Sequence, residues 1–364
     1  MIPEQRIMIT NTMRSGSSLL TNALSVHSKI LILSDNIHFF RFMFRKCEPL
    51  NEKNVHKMLL HQKARLFHRF KVEIDAEEIL NNIKMREFSY TAIYDETMSY
   101  CLKKTGKVIW GDAPALQWRE ISDFLKLFPK GKVIHYYRDP RGVISSWKKY
   151  CRSPNNGYIN SIFNWIDSLN YLQRYSETLS PESYMTVKFE SLAKDPESEM
   201  KRICNFLEVP FEKTLIEPDR WEDFIGNNFV PIAHSAHEGE RVVGYSPERT
   251  EHWKEKIDEI DVCLVEFLTK DKLEKCGYKL FNDKYSISTI KEGFERIRNN
   301  PFLLKQLYVF LATGAGTDKY PDDPTDPKGW ADPNDKSKWF LGSDSGAEYL
   351  KEIEHIKEFI ENKY

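Results

Sequence analysis

Arg6-Ile-Met-Ile-Thr-Asn-Thr-Met-Arg-Ser-Gly-Ser-Ser-Leu-Leu-Thr-Asn-Ala-Leu24 is the stretch that decides the fold: an apolar run breaks into a small polar turn with one glycine, then resumes at helical spacing. Strand, tight turn and helix in that order are how a parallel α/β sheet builds a phosphate cradle. Gly16 lets the backbone approach an anion, Ser15, Ser17 and Ser18 bring hydroxyls, and Arg14 brings charge. The first N–H groups of the following helix point at the same place. The P-loop of ATPases and GTPases is not met, because its pattern needs a lysine directly after the second glycine and none follows Gly16.

Further along, Lys132-Val-Ile-His-Tyr-Tyr-Arg-Asp-Pro-Arg-Gly-Val-Ile-Ser-Ser-Trp147 repeats the arrangement of apolar strand, polar turn and helix. Arg138 falls at the strand's end and Ser146 about two helical turns later, so both can reach one phosphate from different elements.

Together the two segments resemble the sulfotransferases that use 3′-phosphoadenosine 5′-phosphosulfate (PAPS). In that family the first loop, Lys-or-Arg-Ser-Gly-Ser/Thr-Ser/Thr, holds the 5′-phosphosulfate, and an Arg with a Ser eight residues later holds the 3′-phosphate. The resemblance therefore implies PAPS as co-substrate, bound by Arg14, Ser15, Gly16, Ser17 and Ser18 and by Arg138 and Ser146, with Ser145 as a competitor for the serine's role. The arginine in the first loop is similar to the bacterial, carbohydrate and tyrosylprotein branches rather than the Lys-bearing cytosolic one. Tyr184-Met-Thr-Val-Lys-Phe-Glu-Ser-Leu-Ala-Lys-Asp-Pro196, ahead of a helix ending in Cys204-Asn-Phe-Leu207, looks like the family's Val-Arg-Tyr-Glu-Asp-Leu…Asp-Pro stretch. A weaker echo is Arg241-Val-Val-Gly-Tyr245 with His252-Trp253-Lys254, where relatives close a loop over the 3′-phosphate with residues placed like Arg241 and Gly244. The resemblance covers roughly residues 5–280.

The 364 residues, 41% of them hydrophobic, can bury a large core. With 53 basic against 54 acidic residues the chain is near neutral, which argues against a nucleic-acid partner. No run of about 18 apolar residues is present and the chain enters a strand almost at once, so a cytoplasmic protein without a signal peptide or membrane anchor is expected. Cys47, Cys101, Cys151, Cys204, Cys263 and Cys276 are scattered without metal-ligand spacing and read as free thiols. No metal is expected, and the PAPS-dependent reaction needs none.

Strands are predicted at 6–11, 107–111, 132–137 and 183–189, with helices near 17–27, 115–128, 141–150, 158–177 and 194–207. This alternation predicts an α/β fold with a central parallel sheet flanked by helices and the ligand at the strands' carboxyl ends. Residues 1–300 are expected to form the sulfotransferase domain, with 36–88 a helical insertion, rich in Phe, His, Lys and Arg, that shapes the acceptor site. Its phenylalanines, Phe39, Phe40, Phe42, Phe44, Phe67 and Phe70, read first as core. Residues 301–364 form a C-terminal extension. Its Gly-, Pro- and Asp-rich segment 313–347 reads as an irregular tether, whose Asp spacing does not match a calcium loop. Tyr349, Ile353, Ile356 and Ile360 then mark an amphipathic helix.

The chemistry implied is in-line transfer of a sulfuryl group to a hydroxyl, amine or guanidine of a small molecule or sugar, with Arg14 neutralising charge. A general base is needed, and here the chain departs from its relatives. Where the cytosolic branch has Lys-Thr-His-Leu-Pro, this chain has Trp110-Gly111-Asp112-Ala113-Pro114, which places Asp112 at the base position. Asp112 equally suits a cap for a helix starting near Pro114. Where many bacterial relatives have Pro-Glu-Thr-His-Phe-Phe, this chain has Asp35-Asn36-Ile37-His38-Phe39-Phe40, with Asn36 replacing the glutamate and His38 or Asp35 a rival base. His135 reads as core, His234 and His237 as loop residues before Arg241 placed to line the acceptor site, and Lys188 and Phe189 as structural, with a place at the border of the adenine as the alternative. Two other classes stay open: a nucleotide kinase of the same strand–loop–helix ancestry, and a binding protein that has lost catalysis.

Overall fold

The computed structural model describes residues 5–33, 39–70, 72–150, 156–221 and 244–316, with Glu354, Lys357 and Glu358 beyond them. The opening apolar run forms β1 (Ile7–Asn11), all five residues buried, as a parallel strand covered on both faces requires. After α1 (Ser17–Ser25) come β2 (Ile30–Leu33), a short α2 (Phe39–Phe42), then α3 (Glu52–Phe70), α4 (Ala76–Arg86) and α5 (Tyr90–Lys103). The chain then forms β3 (Ile109–Asp112), α6 (Ile121–Leu127), β4 (Lys132–Tyr137), α7 (Pro140–Tyr150), α8 (Asn160–Thr178), β5 (Tyr184–Lys188), α9 (Phe189–Lys194) and α10 (Pro196–Phe206). Later helices among the described residues include α11 (Glu259–Lys275), α12 (Ile287–Arg298) and α13 (Pro301–Thr313).

The five strands lie in the order β2-β3-β1-β4-β5 and every pairing is parallel. The sheet and its flanking helices match the fold class read from the sequence. β2 was not among the expected strands, because Ile30-Leu-Ile-Leu33 is four apolar residues long, too short for periodicity to separate it from the preceding helix. α5 also escaped the sequence reading.

Pleating sorts the strand residues between two layers. Met8, Leu31 and Leu33 join the core under α3, α4, α5 and α6. Ile7, Ile9, Ile30 and Ile32 face the opposite layer of α1, α9 and α10. A third core gathers α7, α8 and the C-terminal helices, and packing continues past residue 300: Leu303 of α13 is fully buried and Phe310 stacks on Phe163 at 5.3 Å. Phe39, Phe40 and Phe42 are core, as expected, with Phe39 stacked on Tyr94 at 4.1 Å. Asp195 caps α10 and Pro196 opens it, so the Asp-Pro pair is a helix start.

The helix expected from about residue 115 begins later: a single 3₁₀ turn, Trp118–Glu120, precedes α6. Asp112 ends β3 and caps no helix. The physical reason is that the loop after it is bonded to β1, Thr10 Oγ1 donating to Pro114 O at 3.2 Å and Leu116 N donating to Asn11 O at 2.9 Å.

His135 lies inside β4, fully buried, its ring nitrogens 2.8 Å from Tyr184 Oη and 2.8 Å from Ser168 Oγ. Burial pushes its pKa down from 6.5 to about 3. A depressed histidine contributes stability fully above its unfolded pKa, and that contribution falls by about 1.4 kcal/mol per pH unit as the pH drops below it. Urea unfolding should therefore show the His135→Gln variant losing roughly 2–3 kcal/mol less than wild type between pH 7 and pH 4.5.

Candidate active site

β1 is the strand from which the sheet grows in both directions, β3 on one side and β4 on the other. Its register with β4 runs from Ile7↔Lys132 to Asn11↔Tyr136, so the two polar turns emerge side by side at the carboxyl ends. This is the crevice where open α/β sheets bind ligands.

In the first turn Ser15 is buried and its hydroxyl donates to Thr12 O at 2.7 Å, which shapes the loop from within. Arg14 and Gly16 both lie in the left-handed region, at φ 65° and 86°. A Cβ at Gly16 would meet the Phe189 ring at 2.8 Å, so glycine is required by conformation and by space. Gly16 is the N-cap of α1 and no side chain caps that helix end. Ser17 is partly exposed and Ser18 exposed on its first turn.

The second turn comes directly onto the first. Arg14 Nε donates to Ser146 Oγ at 3.1 Å, which distinguishes Ser146 from Ser145. Arg138 donates through Nη1 to Arg14 O at 3.5 Å and through Nη2 to Arg249 O at 3.0 Å, and its guanidinium sits 4.3 Å over the Phe189 ring. A Cβ at residue 142 would lie 2.8 Å from Arg138 Nε, so Gly142 leaves room for the side chain. Trp165 Nε1 holds Arg138 O at 2.8 Å. The Nε of Arg138 is buried without a hydrogen-bond partner among the described residues, and burial lowers the group's pKa, with Glu190 acting in the opposite direction. A half-buried cation with a buried Nε, bonded among the described residues to two carbonyls and no carboxylate and beside a glycine-lined turn, fits a phosphate.

Behind this pair, Arg141 ties the turn to the C-terminal helices. It donates to Asp139 at 2.6 Å, to Glu266 Oε1 at 2.6 Å and to Lys279 O at 2.9 Å, and lies 4.2 Å over Trp253. Burial works against its charge, and the bonds to Asp139 and Glu266 more than offset it, raising the pKa. Glu190 accepts from Asp139 N at 3.0 Å and from Tyr278 Oη at 2.9 Å.

Asp112 is 1% exposed at the end of β3, and Tyr94 Oη donates to its Oδ2 at 2.6 Å. Burial, then the charge of Asp112, raises the Tyr94 pKa, which keeps the phenol protonated. Lys188 lies over the Tyr278 ring at 3.7 Å and donates to Cys276 O, and Phe189 packs between Gly16 and Arg138. Gly244, at φ 81°, packs on Pro218, and the segment after it reaches Arg138 through the Arg249 carbonyl. Asp35, Asn36, His38, His234, His237 and Arg241 lie outside the described residues, as does most of the 313–364 tail, of which Glu354, Lys357 and Glu358 are helical and exposed. Cys47, Cys101, Cys204, Cys263 and Cys276 are free thiols. Among the described residues no helix is long and apolar enough to cross a membrane.

The sequence reading did not reach Arg249 or the Arg141–Glu266 clamp.

A family model described as "Sulfotransferase family" matches residues 6–213, which span both turns. The chain belongs to the sulfotransferase family. It is 27% identical over 187 residues to carbohydrate sulfotransferase 1 of Danio rerio, covering 44% of this chain and 42% of that one. Over 107 residues it is 30% identical to a putative protein-tyrosine sulfotransferase of Caenorhabditis elegans, covering 28% of this chain and 39% of that one. The chain thus spans about two fifths of the length of these curated relatives. Among solved structures, the sulfotransferase domain of the curacin biosynthetic pathway matches with a TM-score of 0.50 at 20% identity, over 75% of this chain and 98% of that one. The sulfotransferase domain of the Synechococcus PCC 7002 olefin synthase matches with a TM-score of 0.52 at 21% identity, over 76% and 95%. These two likenesses show the fold.

Proposed function

We propose that this sulfotransferase-family chain transfers a sulfuryl group from PAPS to a hydroxyl or amine of a small molecule or sugar. The observation that carries the reading is the meeting of the two turns: Arg14 bonded to Ser146, and Arg138 bonded to the Arg14 carbonyl with a buried N–H left over. When bound, PAPS supplies the sulfuryl group and departs as 3′-phosphoadenosine 5′-phosphate (PAP). Arg138 and Ser146 bind the 3′-phosphate, and Arg241 adds to that site from outside the described residues. Ser15 keeps the first turn in shape while Gly16, Ser17 and Ser18 present the uncapped start of α1 to the 5′ end. Arg14, whose fork can hold two oxygens, neutralises charge on the leaving phosphate. A kinase reading lacks the lysine that follows the P-loop glycine. The test is calorimetric binding of PAP beside ADP and ATP: selective PAP binding is expected, and equal ATP binding would return the kinase reading.

Asp112 is the proposed general base, with Tyr94 holding its carboxylate in place. The Asp112→Asn variant should lower kcat by about 10²–10⁴ and leave PAP affinity within twofold. Retained kcat with a lower melting temperature would make Asp112 an anchor for Tyr94 and pass the base role to His38.

A further inference from the structure

Glu190, in the first turn of α9, is 8% exposed, and two donors fix its carboxylate: Asp139 N on Oε1 at 3.0 Å and Tyr278 Oη on Oε2 at 2.9 Å. The chain sets it beside Arg138 from two directions. Asp139 N is the amide directly after Arg138, and Phe189, directly before Glu190, lies 4.3 Å under the Arg138 guanidinium.

A carboxylate brought this near a guanidinium ordinarily closes on it as a bidentate pair. Glu190 does not: among the described residues its oxygens accept only from Asp139 N and Tyr278 Oη, while Arg138 donates to the carbonyls of Arg14 and Arg249. Nor does Arg141 neutralise it, since that cation is bonded to Asp139 and Glu266. Burial raises the Glu190 pKa and the Asp139 charge adds to the rise, against the pull of the Asp139 amide, Arg138 and Tyr278.

The arrangement is a buried acid that faces the cation without touching it. Its negative charge lowers the cost of keeping Arg138 charged before an anion binds, and it repels a phosphate that comes to the same guanidinium. Both effects weaken the hold on a 3′-phosphate. PAP keeps every group of PAPS except the sulfuryl, so a site that grips the donor tightly also grips the spent product, and product release limits kcat in many enzymes.

We infer that Glu190 is a positioning residue that acts through Arg138: its carboxylate, held off the guanidinium by Asp139 N and Tyr278 Oη, loosens the donor site so that PAP can leave between turnovers. The inference rests on the sulfuryl-transfer reading above, with Arg138 at the 3′-phosphate.

The groups that face Glu190 are Arg138 and Asp139 on the turn, Tyr136 and Tyr137 on β4, and Cys276 and Tyr278 after α11, with Lys188 over the Tyr278 ring. Burial raises the pKa of the three tyrosines and of Cys276, which keeps them neutral near pH 7.

The test is calorimetry on the full chain with PAP and ADP, joined by the PAP dissociation rate. Glu190→Gln keeps an acceptor for Asp139 N and removes the charge. It should bind PAP about tenfold more tightly than wild type near pH 7.5 and release it about tenfold more slowly, while affinity for ADP, which lacks a 3′-phosphate, stays within twofold. The advantage of Gln exists where Glu190 is ionised, so the ratio between the two proteins should shrink as the pH falls through the raised Glu190 pKa; the ionisation of PAP itself is common to both and cancels. Tyr278→Phe keeps the ring under Lys188 and removes the donor to Oε2, which favours the neutral carboxyl, so PAP binding should tighten in the same direction by about two- to threefold. Thermal melts show that each variant folds, and if Glu190→Gln does not, Tyr278→Phe decides by the same sign. A merely structural Glu190 would give weaker binding on substitution. Unchanged or weaker PAP binding in the folded variant, or a tightening shared equally by ADP, would overturn the inference, whereas a wild type that binds ADP as tightly as PAP would overturn the donor reading beneath it.

Discussion

The Arg138→Ala variant should bind PAP about 100-fold more weakly than wild type, while its affinity for ADP, which lacks a 3′-phosphate, changes less than threefold. The size follows from where the guanidinium lies. It is packed over Phe189 and held by two carbonyls, so little conformational freedom is left to lose when an anion arrives. Its Nε is buried without a partner among the described residues, and burial disfavours the charge. A phosphate that removes that penalty gains more than the same contact would in water. Arg138→Lys keeps the charge and loses the fork, and an intermediate loss is expected from it. Calorimetry on wild type and both variants gives the comparison, with thermal melts to confirm that the Phe189 packing survives. Equal weakening of PAP and ADP would place Arg138 elsewhere than at the 3′-phosphate.

Arg141→Met carries the largest expected effect on stability. Its guanidinium and the carboxylates of Asp139 and Glu266 have side chains 4%, 6% and 2% exposed. Removing the cation leaves two buried carboxylates facing each other, an arrangement whose cost is about 3–5 kcal/mol. In a chain of this size that lowers the melting temperature by roughly 6–15 °C. The companion variant Arg141→Met/Asp139→Asn/Glu266→Gln should recover much of the loss, because a neutral trio no longer demands a counter-charge. Thermal unfolding followed by circular dichroism measures both. A single variant as stable as wild type would show that the clamp contributes nothing net. Since Glu266 also accepts from Phe281 N and Tyr285 Oη, the same change should loosen the 279–285 segment against α7.

Much of this was legible in the chain before it folded. A run of β-branched and apolar residues stopping at Asn11 and a glycine five residues on state a strand and a turn by themselves, because both depend on neighbours in sequence. The second turn reads the same way, and so does Asp195-Pro196 as a helix start. β2 was illegible, since four apolar residues have no period, and so was the late start of α6, which depends on bonds from the loop to β1, a hundred residues earlier in the chain. Asp112 shows the limit most plainly. Its sequence suits a helix cap, but its backbone continues the sheet and its carboxylate accepts from Tyr94, a residue of a helix the sequence reading did not contain.

By itself the sequence determined the kind of turn, the residues on it and the presence of two such turns, because backbone conformation and local charge are properties of short segments. Only the tertiary structure decided that β4 lies beside β1, so that Arg138 rests on Arg14 and Ser146 receives its Nε. It alone placed Arg141 between two buried carboxylates. Strand order and burial are set by which layers pack together, and the desolvation that makes a lone arginine chemically telling exists only once they have.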